Sequence, residues 1–120
     1  MYSELALYID GKWLSGEGRK GEDVINPATG KVLAHLPHAS KADLDAALEA
    51  AQKGFQVWKA TSAYDRAKIM RKAADLVREP YDHISKVQTQ EQGKVNAESR
   101  AEVLTSADIT DWYAEEGRRT

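Results

Sequence analysis

The sequence predicts an α+β fold that is mostly helical, with short amino-terminal strands followed by four helices. Two observations support this prediction. Residues 1–39 combine short extended runs with turn residues, whereas apolar residues recur at three- and four-residue steps through residues 40–120. The chain has 120 residues, the length of one ordinary domain, and roughly two thirds of its unfolded surface would be buried at this size.

A hairpin is predicted to open the chain. Residues 7–9 and 12–14 have strand-type sequences, and Asp10 and Gly11 between them are a typical hairpin turn. Residues 15–22 are polar and rich in glycine, which favours a loop.

A second pair of extended segments surrounds another turn. Residues 23–25 and 32–36 are the extended runs. In the turn between them, Pro27 presets its own φ angle and Gly30 tolerates a positive φ.

The first two helices are predicted from their caps and from apolar spacing. Ser40 with Asp43, and Ser62 with Asp65, resemble capping boxes in which Asp replaces the usual Glu or Gln. Each helix then has apolar residues on one face, which are Leu44, Ala47, Leu48, Ala51, Phe55 and Trp58 in the first and Ile69, Ala73 and Leu76 in the second.

Pro80 and Gly93 mark the ends of the third helix. Pro80 lacks an amide donor and disfavours helical geometry at Glu79, so a helix break is predicted there. Ile84 and Val87 are the apolar positions of the third helix, and Gly93 is its C-cap. A fourth helix is predicted over residues 96–117, and it is expected to bury some of Ala97, Ala101, Leu104, Ala107, Ile109 and Trp112.

Composition excludes several classes of function. The formal net charge is −2, from 17 basic and 19 acidic residues, so neither nucleic acid nor an anionic membrane is an expected partner. The first eight residues lack a basic residue and a long apolar run, so a secretory signal or a membrane span is not expected. The absence of cysteine excludes disulfides and thiolate metal sites, and it fits a cytoplasmic location.

Gly16, Gly18 and Gly21 have the G-x-G-x-x-G spacing of dinucleotide-binding loops. That motif must leave a strand and open a helix, so that backbone amides face the pyrophosphate. The next residues, 23–27 (DVINP), cannot open a helix, so we interpret the motif as a flexible loop.

The other side chains that could bind a ligand are interpreted as structural. His35 and His38 are three residues apart and have no third ligand nearby in the sequence, which falls short of a zinc site. Trp58 and Trp112 fall on helical apolar faces and are interpreted as core residues. Taken alone, these residues support a mostly helical domain without an evident site.

Six short motifs follow one another along the chain, and they are residues 7–13 (LYIDGKW), 24–32 (VINPATGKV), 43–51 (DLDAALEAA), 66–76, 89–94 (TQEQGK) and 112–117 (WYAEEG). In this order they resemble the amino-terminal part of NAD(P)-dependent aldehyde dehydrogenases, over residues 7–119. Within that family the likeness is greatest to succinate-semialdehyde dehydrogenases, through residues 91–94 and 114–119.

The resemblance implies that the chain is a piece of a larger α/β fold, which has a dinucleotide-binding domain, a catalytic domain and an oligomerisation hairpin. In the full-length family a cysteine thiolate attacks the aldehyde and hydride passes to NAD or NADP. This sequence has no cysteine. We therefore expect a truncated enzyme that is inactive alone, without catalytic or cofactor-binding residues of its own and without bound NAD, NADP or aldehyde substrate.

The resemblance also implies two minor sites. In some members a structural monovalent cation is held by a backbone carbonyl at the position of Val24 and by an acid at the position of Glu91. The fourth helix helps to line the substrate tunnel, which by register indicates Thr105, Glu102 and Asp108. A plain helix surface is an equally acceptable interpretation of these three residues.

A different class of function stays open. The chain is alternatively a free-standing helical module that binds a partner, such as a full-length homologue, without catalysis. Its apolar stripes are too many to be satisfied within one small bundle, so self-association is expected under either interpretation. A reading frame that continues past Thr120 in the source DNA would favour the truncated enzyme, whereas a stop codon there would favour the module.

Overall fold

The computed structural model describes residue 2 and residues 4–119. Its elements, in chain order, are β1 (Leu7–Ile9), β2 (Lys12–Leu14), β3 (Gly21–Ile25), β4 (Val32–Pro37), α1 (Lys41–Ala60), α2 (Ala63–Arg78), α3 (Tyr81–Gln92) and α4 (Asn96–Glu116). The α+β, mostly helical prediction is confirmed. The chain divides into two compact units, Met1–Val57 and Trp58–Thr120, and each is described by itself.

The first unit begins with the predicted hairpin. Strands β1 and β2 pair antiparallel, with Tyr8 opposite Trp13 and their ring centres 4.8 Å apart. Asp10 and Gly11 have φ angles of 51° and 75°. Two consecutive positive φ angles match the turn type that suits the twist of a two-residue hairpin.

The second hairpin joins β3 to β4, and it corrects the predicted loop. Gly21 and Glu22 belong to β3, opposite Pro37 and Leu36, whereas the sequence predicts them in the loop of residues 15–22. Strand β3 begins two residues before its predicted start because glycine at position 21 allows a close approach to β4. A Cβ at that position would lie only 2.3 Å from the carbonyl oxygen of Leu36. The turn is as predicted, with Gly30 at a φ of 69°.

Helix α1 begins at the predicted capping box. The Asp43 amide donates to Ser40 Oγ at 3.2 Å, and the Ser40 amide donates back to Asp43 Oδ2 at 2.7 Å. None of the α1 residues is buried. Leu44 and Leu48 on its apolar stripe are 56% and 70% exposed, and Trp58 is 40% exposed, so the interpretation of Trp58 as a core residue is wrong.

The core of the second unit lies between α2 and α4, and it consists of small residues. The buried positions of these two helices are Ala67 and Ala74 on α2 and Ser99, Val103, Ala107 and Ala114 on α4. Of the six residues proposed for the buried face of the fourth helix, only Ala107 is buried, and Trp112 is exposed. The reason is geometric: residues 99, 103 and 107 follow one another at four-residue steps and form a stripe of their own, and small side chains allow two helices to pack closely.

Helix α3 is separated from α2 by the predicted break. Pro80 lies at its N-cap with φ −97° and ψ 23°, whereas Glu79 keeps helical angles and its amide donates to the Asp75 carbonyl at 3.0 Å. Glu79 itself keeps helical angles, but the predicted break at residues 79–80 is confirmed, because α2 ends at Arg78 and α3 begins at Tyr81. Gly93 caps the other end with a φ of 73°, as predicted.

Helix α3 contacts α4 through small polar residues. Ser85 on α3 is fully buried, and Thr89 Oγ1 lies 2.9 Å from Ser99 Oγ on α4.

Candidate functional site

Glu102, a predicted tunnel residue, is held by two neighbours in the second unit. Its carboxylate accepts hydrogen bonds from the Lys94 ammonium and from the Gln88 side-chain amide. Lys94, and to a smaller extent Gln88, lower the pKa of Glu102 from its usual value. The carboxylate is therefore charged and oriented by protein groups.

Asp108, the second predicted tunnel residue, is bound to the end of α2. Arg78 Nη2 lies 2.7 Å from Asp108 Oδ1 and 2.6 Å from Asp111 Oδ2. These two hydrogen bonds raise the pKa of Arg78 above its usual value. Sequence reasoning missed Arg78, although a basic residue in the last turn of α2 and two acids three residues apart on α4 were a readable signal.

Thr105 lies between these two residues on α4 and is exposed. The three tunnel candidates thus share one helix, and two of them bind basic side chains of the same unit. These contacts have a structural explanation of their own, so a role in a substrate tunnel stays a prediction.

The proposed cation ligands lie in different units. Val24 is on β3, next to a register shift in the pairing with β4, and Glu91 is in the last turn of α3. Across the residues that the structure describes, no group of three or more His, Cys, Asp or Glu side chains is placed to hold a metal. The predicted cation site has one backbone carbonyl and one carboxylate, so the absence of a three-residue cluster does not test it. The cation site therefore also stays a prediction.

The glycine motif does not form a cradle for a dinucleotide. Gly18 occupies a turn at φ 72°, and Gly21 is paired within β3, so the loop leads into a strand rather than into a helix. The arginine of this loop, Arg19, is bound to Asp43 at 2.6 Å. The loop interpretation holds for Gly16 and Gly18, whereas Gly21 belongs to β3, and a loop that leads into a strand does not present helix amides to the pyrophosphate of a nicotinamide cofactor. Among the helices of the described part, none has the length and apolar character needed to cross a membrane.

Comparison with known proteins gives the family. The model of the aldehyde dehydrogenase family matches residues 13–120. An aldehyde dehydrogenase from Brucella melitensis biovar abortus 2308 is 38% identical, with a TM-score of 0.90 over 95% of this chain and 24% of its own. A succinate-semialdehyde dehydrogenase from Burkholderia pseudomallei is 36% identical, with a TM-score of 0.90 over 97% of this chain and 24% of its own.

A third similar structure is an NAD-dependent benzaldehyde dehydrogenase from Corynebacterium glutamicum. It is 33% identical, with a TM-score of 0.87 over 95% of this chain and 25% of its own. The chain therefore spans about a quarter of the length of these structures. Because the family model covers residues 13–120, the chain belongs to the aldehyde dehydrogenase family.

Proposed function

We propose that this chain is the amino-terminal segment of an NAD(P)-dependent aldehyde dehydrogenase whose complete protein oxidises an aldehyde to a carboxylate. The observation that carries the proposal is the family match over residues 13–120, joined to structural similarity that covers a quarter of each related chain. The NAD-dependent relative supports a nicotinamide cofactor for the complete protein. That cofactor would accept the hydride.

The chain alone is proposed to be inactive. It has no cysteine to add to an aldehyde carbon, and its glycine loop enters a strand. In this proposal the chain contributes helices and strands that support the site, and the reacting groups belong to the part of the family that it does not cover. A cytoplasmic location is part of the proposal and is supported by the cysteine-free sequence.

Succinate semialdehyde is the substrate we propose for the complete protein. The support is the likeness at residues 91–94 and 114–119, together with the similar Burkholderia enzyme. Benzaldehyde is the competing choice, because a relative of comparable similarity acts on it.

Two measurements test this proposal. The purified chain should produce no NADH or NADPH from succinate semialdehyde or benzaldehyde, and calorimetry should detect no micromolar binding of either oxidised cofactor. The full-length Burkholderia enzyme is the positive control. Turnover by the purified chain would contradict the proposal that it is inactive.

Complementation tests the segment itself. The Burkholderia enzyme would be produced without its matching amino-terminal quarter and mixed with this chain, which is 36% identical to that quarter. Recovery of aldehyde oxidation above either part alone is the expected result. If the authentic Burkholderia quarter restores activity and this chain does not, the chain is not an equivalent segment.

The second candidate function is a helical module that associates without catalysis. The observation that favours it is the large number of exposed apolar side chains, among them Leu48 at 70% and Trp112 at 59%. Such a surface is typical of a partner interface. Its test is the mass of the isolated chain in solution, measured by sedimentation at micromolar concentration.

A further inference from the structure

A cleft in the second unit lies apart from the predicted tunnel and cation residues. It has a volume of about 170 Å³ and lies where the first turn of α2 meets the last turn of α4. Its lining includes Arg66, Met70, Trp58 and Tyr113, with Ala67 and Ala114 from the packed faces of the two helices. This volume suits a small molecule or the end of one side chain.

Arg66 is the unusual residue of this cleft. Its side chain is partly buried, yet its guanidinium forms neither a hydrogen bond nor an ion pair with any residue that the structure describes. Every other arginine of the chain contacts a carboxylate, and these are Arg19, Arg71, Arg78, Arg100, Arg118 and Arg119. A guanidinium has five donors in a planar fork that matches the two oxygens of a carboxylate.

The lining of the cleft offers donors and no acid. Besides Arg66, the lining residues include Trp58 and Tyr113, and within the described residues neither side chain has a hydrogen-bond partner. None of the lining residues is Asp or Glu. A concave site with apolar walls and a few polar groups is typical of a small-molecule site, and the guanidinium of Arg66 favours an anionic ligand.

Two acidic residues that adjoin lining residues in the sequence, Asp65 and Glu115, already have partners. Glu115 pairs with Arg71 and, at 3.1 Å, with Arg118. Asp65 accepts from Ser62 Oγ at 2.7 Å and from Lys68 at 3.3 Å. The positive charge of Arg66 therefore remains available for a ligand.

We propose that this cleft binds a carboxylate on a short apolar stem, with Arg66 holding both oxygens and Met70 contacting the stem. The proposal depends on the second unit alone and not on the enzymatic function proposed above. The carboxylate has two conceivable sources, a free small acid or the side chain of a glutamate in another protein segment. Both present the same chemistry to Arg66.

The experiment is a titration of the isotopically labelled 120-residue chain followed by NMR. Butyrate and a glutamate blocked at both backbone ends are the two probes, and butyramide is the uncharged control for butyrate. We expect saturable shifts of the Trp58 indole signal, assigned through Trp58→Phe, with a dissociation constant of about 1–10 mM, as a single charged contact on a small ligand allows. Preference for butyrate indicates a free acid, and preference for the blocked glutamate indicates a protein segment.

Three variants distinguish the site from a general charge effect. Arg66→Met should weaken binding by at least about tenfold, the loss expected for one charge-assisted hydrogen-bonded pair. The affinity of Arg66→Lys should lie between those of the unmodified chain and Arg66→Met, because lysine keeps the charge but lacks the planar fork of donors. Lys72→Met removes the same charge from the exposed side of α2 and should leave binding unchanged. The proposal is overturned if butyramide shifts the same signals as butyrate, if neither probe saturates, or if folded Arg66→Met binds as well as the unmodified chain.

Discussion

Asp43 does more at the residue scale than the capping box predicted for it. Its two oxygens meet the Arg19 fork at 2.6 and 3.2 Å, and Oδ2 also accepts from the amide and the hydroxyl of Ser40. Arg19 first, and Ser40 second, hold the pKa of Asp43 well below its usual range. One carboxylate thereby joins the loop before β3 to the start of α1.

The acid dependence of stability should reveal this carboxylate. Because the pKa of Asp43 is lower in the folded chain than in the unfolded chain, its contribution is complete above the unfolded value of about 4 and is lost as the pH falls below it. Asp43→Asn should lower stability at neutral pH and make the loss below pH 4 shallower, as measured by urea unfolding across that range.

Asp45→Asn is the matched control for this prediction. Asp45 lies on the same helix, and its contact is an exposed i,i+4 pair with Lys41 at 2.7 Å. Exposed pairs of this kind contribute little to stability. An Asp43→Asn variant whose acid profile parallels that of the unmodified chain would show that the pair with Arg19 is unimportant in solution.

The candidate site residues show what could be predicted at this scale. Ser40, Ser62 and Gly93 act within a few residues of themselves, so short sequence windows identified their roles. The partners Lys94 and Arg78 lie outside α4, in the loop before it and at the end of α2, and only the folded structure brings them to Glu102 and Asp108. Arg66 could not be identified from the sequence. What distinguishes it is that its guanidinium has no partner among the described residues, and no sequence pattern shows this.

At the scale of elements, the ends of the helices were predicted better than their buried faces. Caps, prolines and glycines act locally, and the bounds of all four helices follow them closely. On α4 the sequence predicted burial of some of six residues, and of these the structure buries Ala107. The buried positions of α4 include Ala107 and Ser99, which lies beside Thr89 of α3, while Leu104 and Ile109 stay exposed.

Two glycines should respond to alanine with opposite signs. Gly93 has a φ of 73°, where a Cβ is strained, so Gly93→Ala should destabilise the chain by about 1 kcal/mol. Gly54 lies inside α1 with nothing within 4 Å of an added Cβ, so Gly54→Ala should stabilise it by roughly 0.5–1 kcal/mol. Urea unfolding of both variants measures the two changes in stability. If both substitutions changed stability in the same direction, the backbone conformation described for one of the two glycines would be wrong.

The tight contact between α2 and α4 makes a further prediction. Ala74 is 1% exposed in that contact, so Ala74→Leu should destabilise the chain by about 1–3 kcal/mol through overpacking. The neighbouring Ala73 is exposed, and Ala73→Leu should change stability by less than about 0.5 kcal/mol. If both variants unfold at the same urea concentration, the helices do not pack through their small residues.

Many large apolar side chains of the molecule lie outside its small core and are exposed. The large apolar side chains of α1 are exposed along the helix, while the core between α2 and α4 is built from alanine, serine and valine. For the complete enzyme that we propose, we expect the rest of the chain to cover this surface. Under either proposed function, we expect the 120-residue chain alone to bury this surface against another protein surface. A second copy of the chain can provide that surface.

We therefore expect the isolated chain to form a homodimer or a larger oligomer at micromolar concentration. Sedimentation should give a mass above the 13.3 kDa of one chain, and added salt should not dissociate the complex, because screening weakens charge contacts and not apolar ones. Leu48→Glu places a charge in the apolar stripe of α1 and should shift the mass towards that of one chain. Gln52→Glu adds the same charge at an exposed polar position of α1 and should have little effect. A compact monomer of 13.3 kDa that melts cooperatively would contradict self-association and would show that the exposed stripes are tolerated in water.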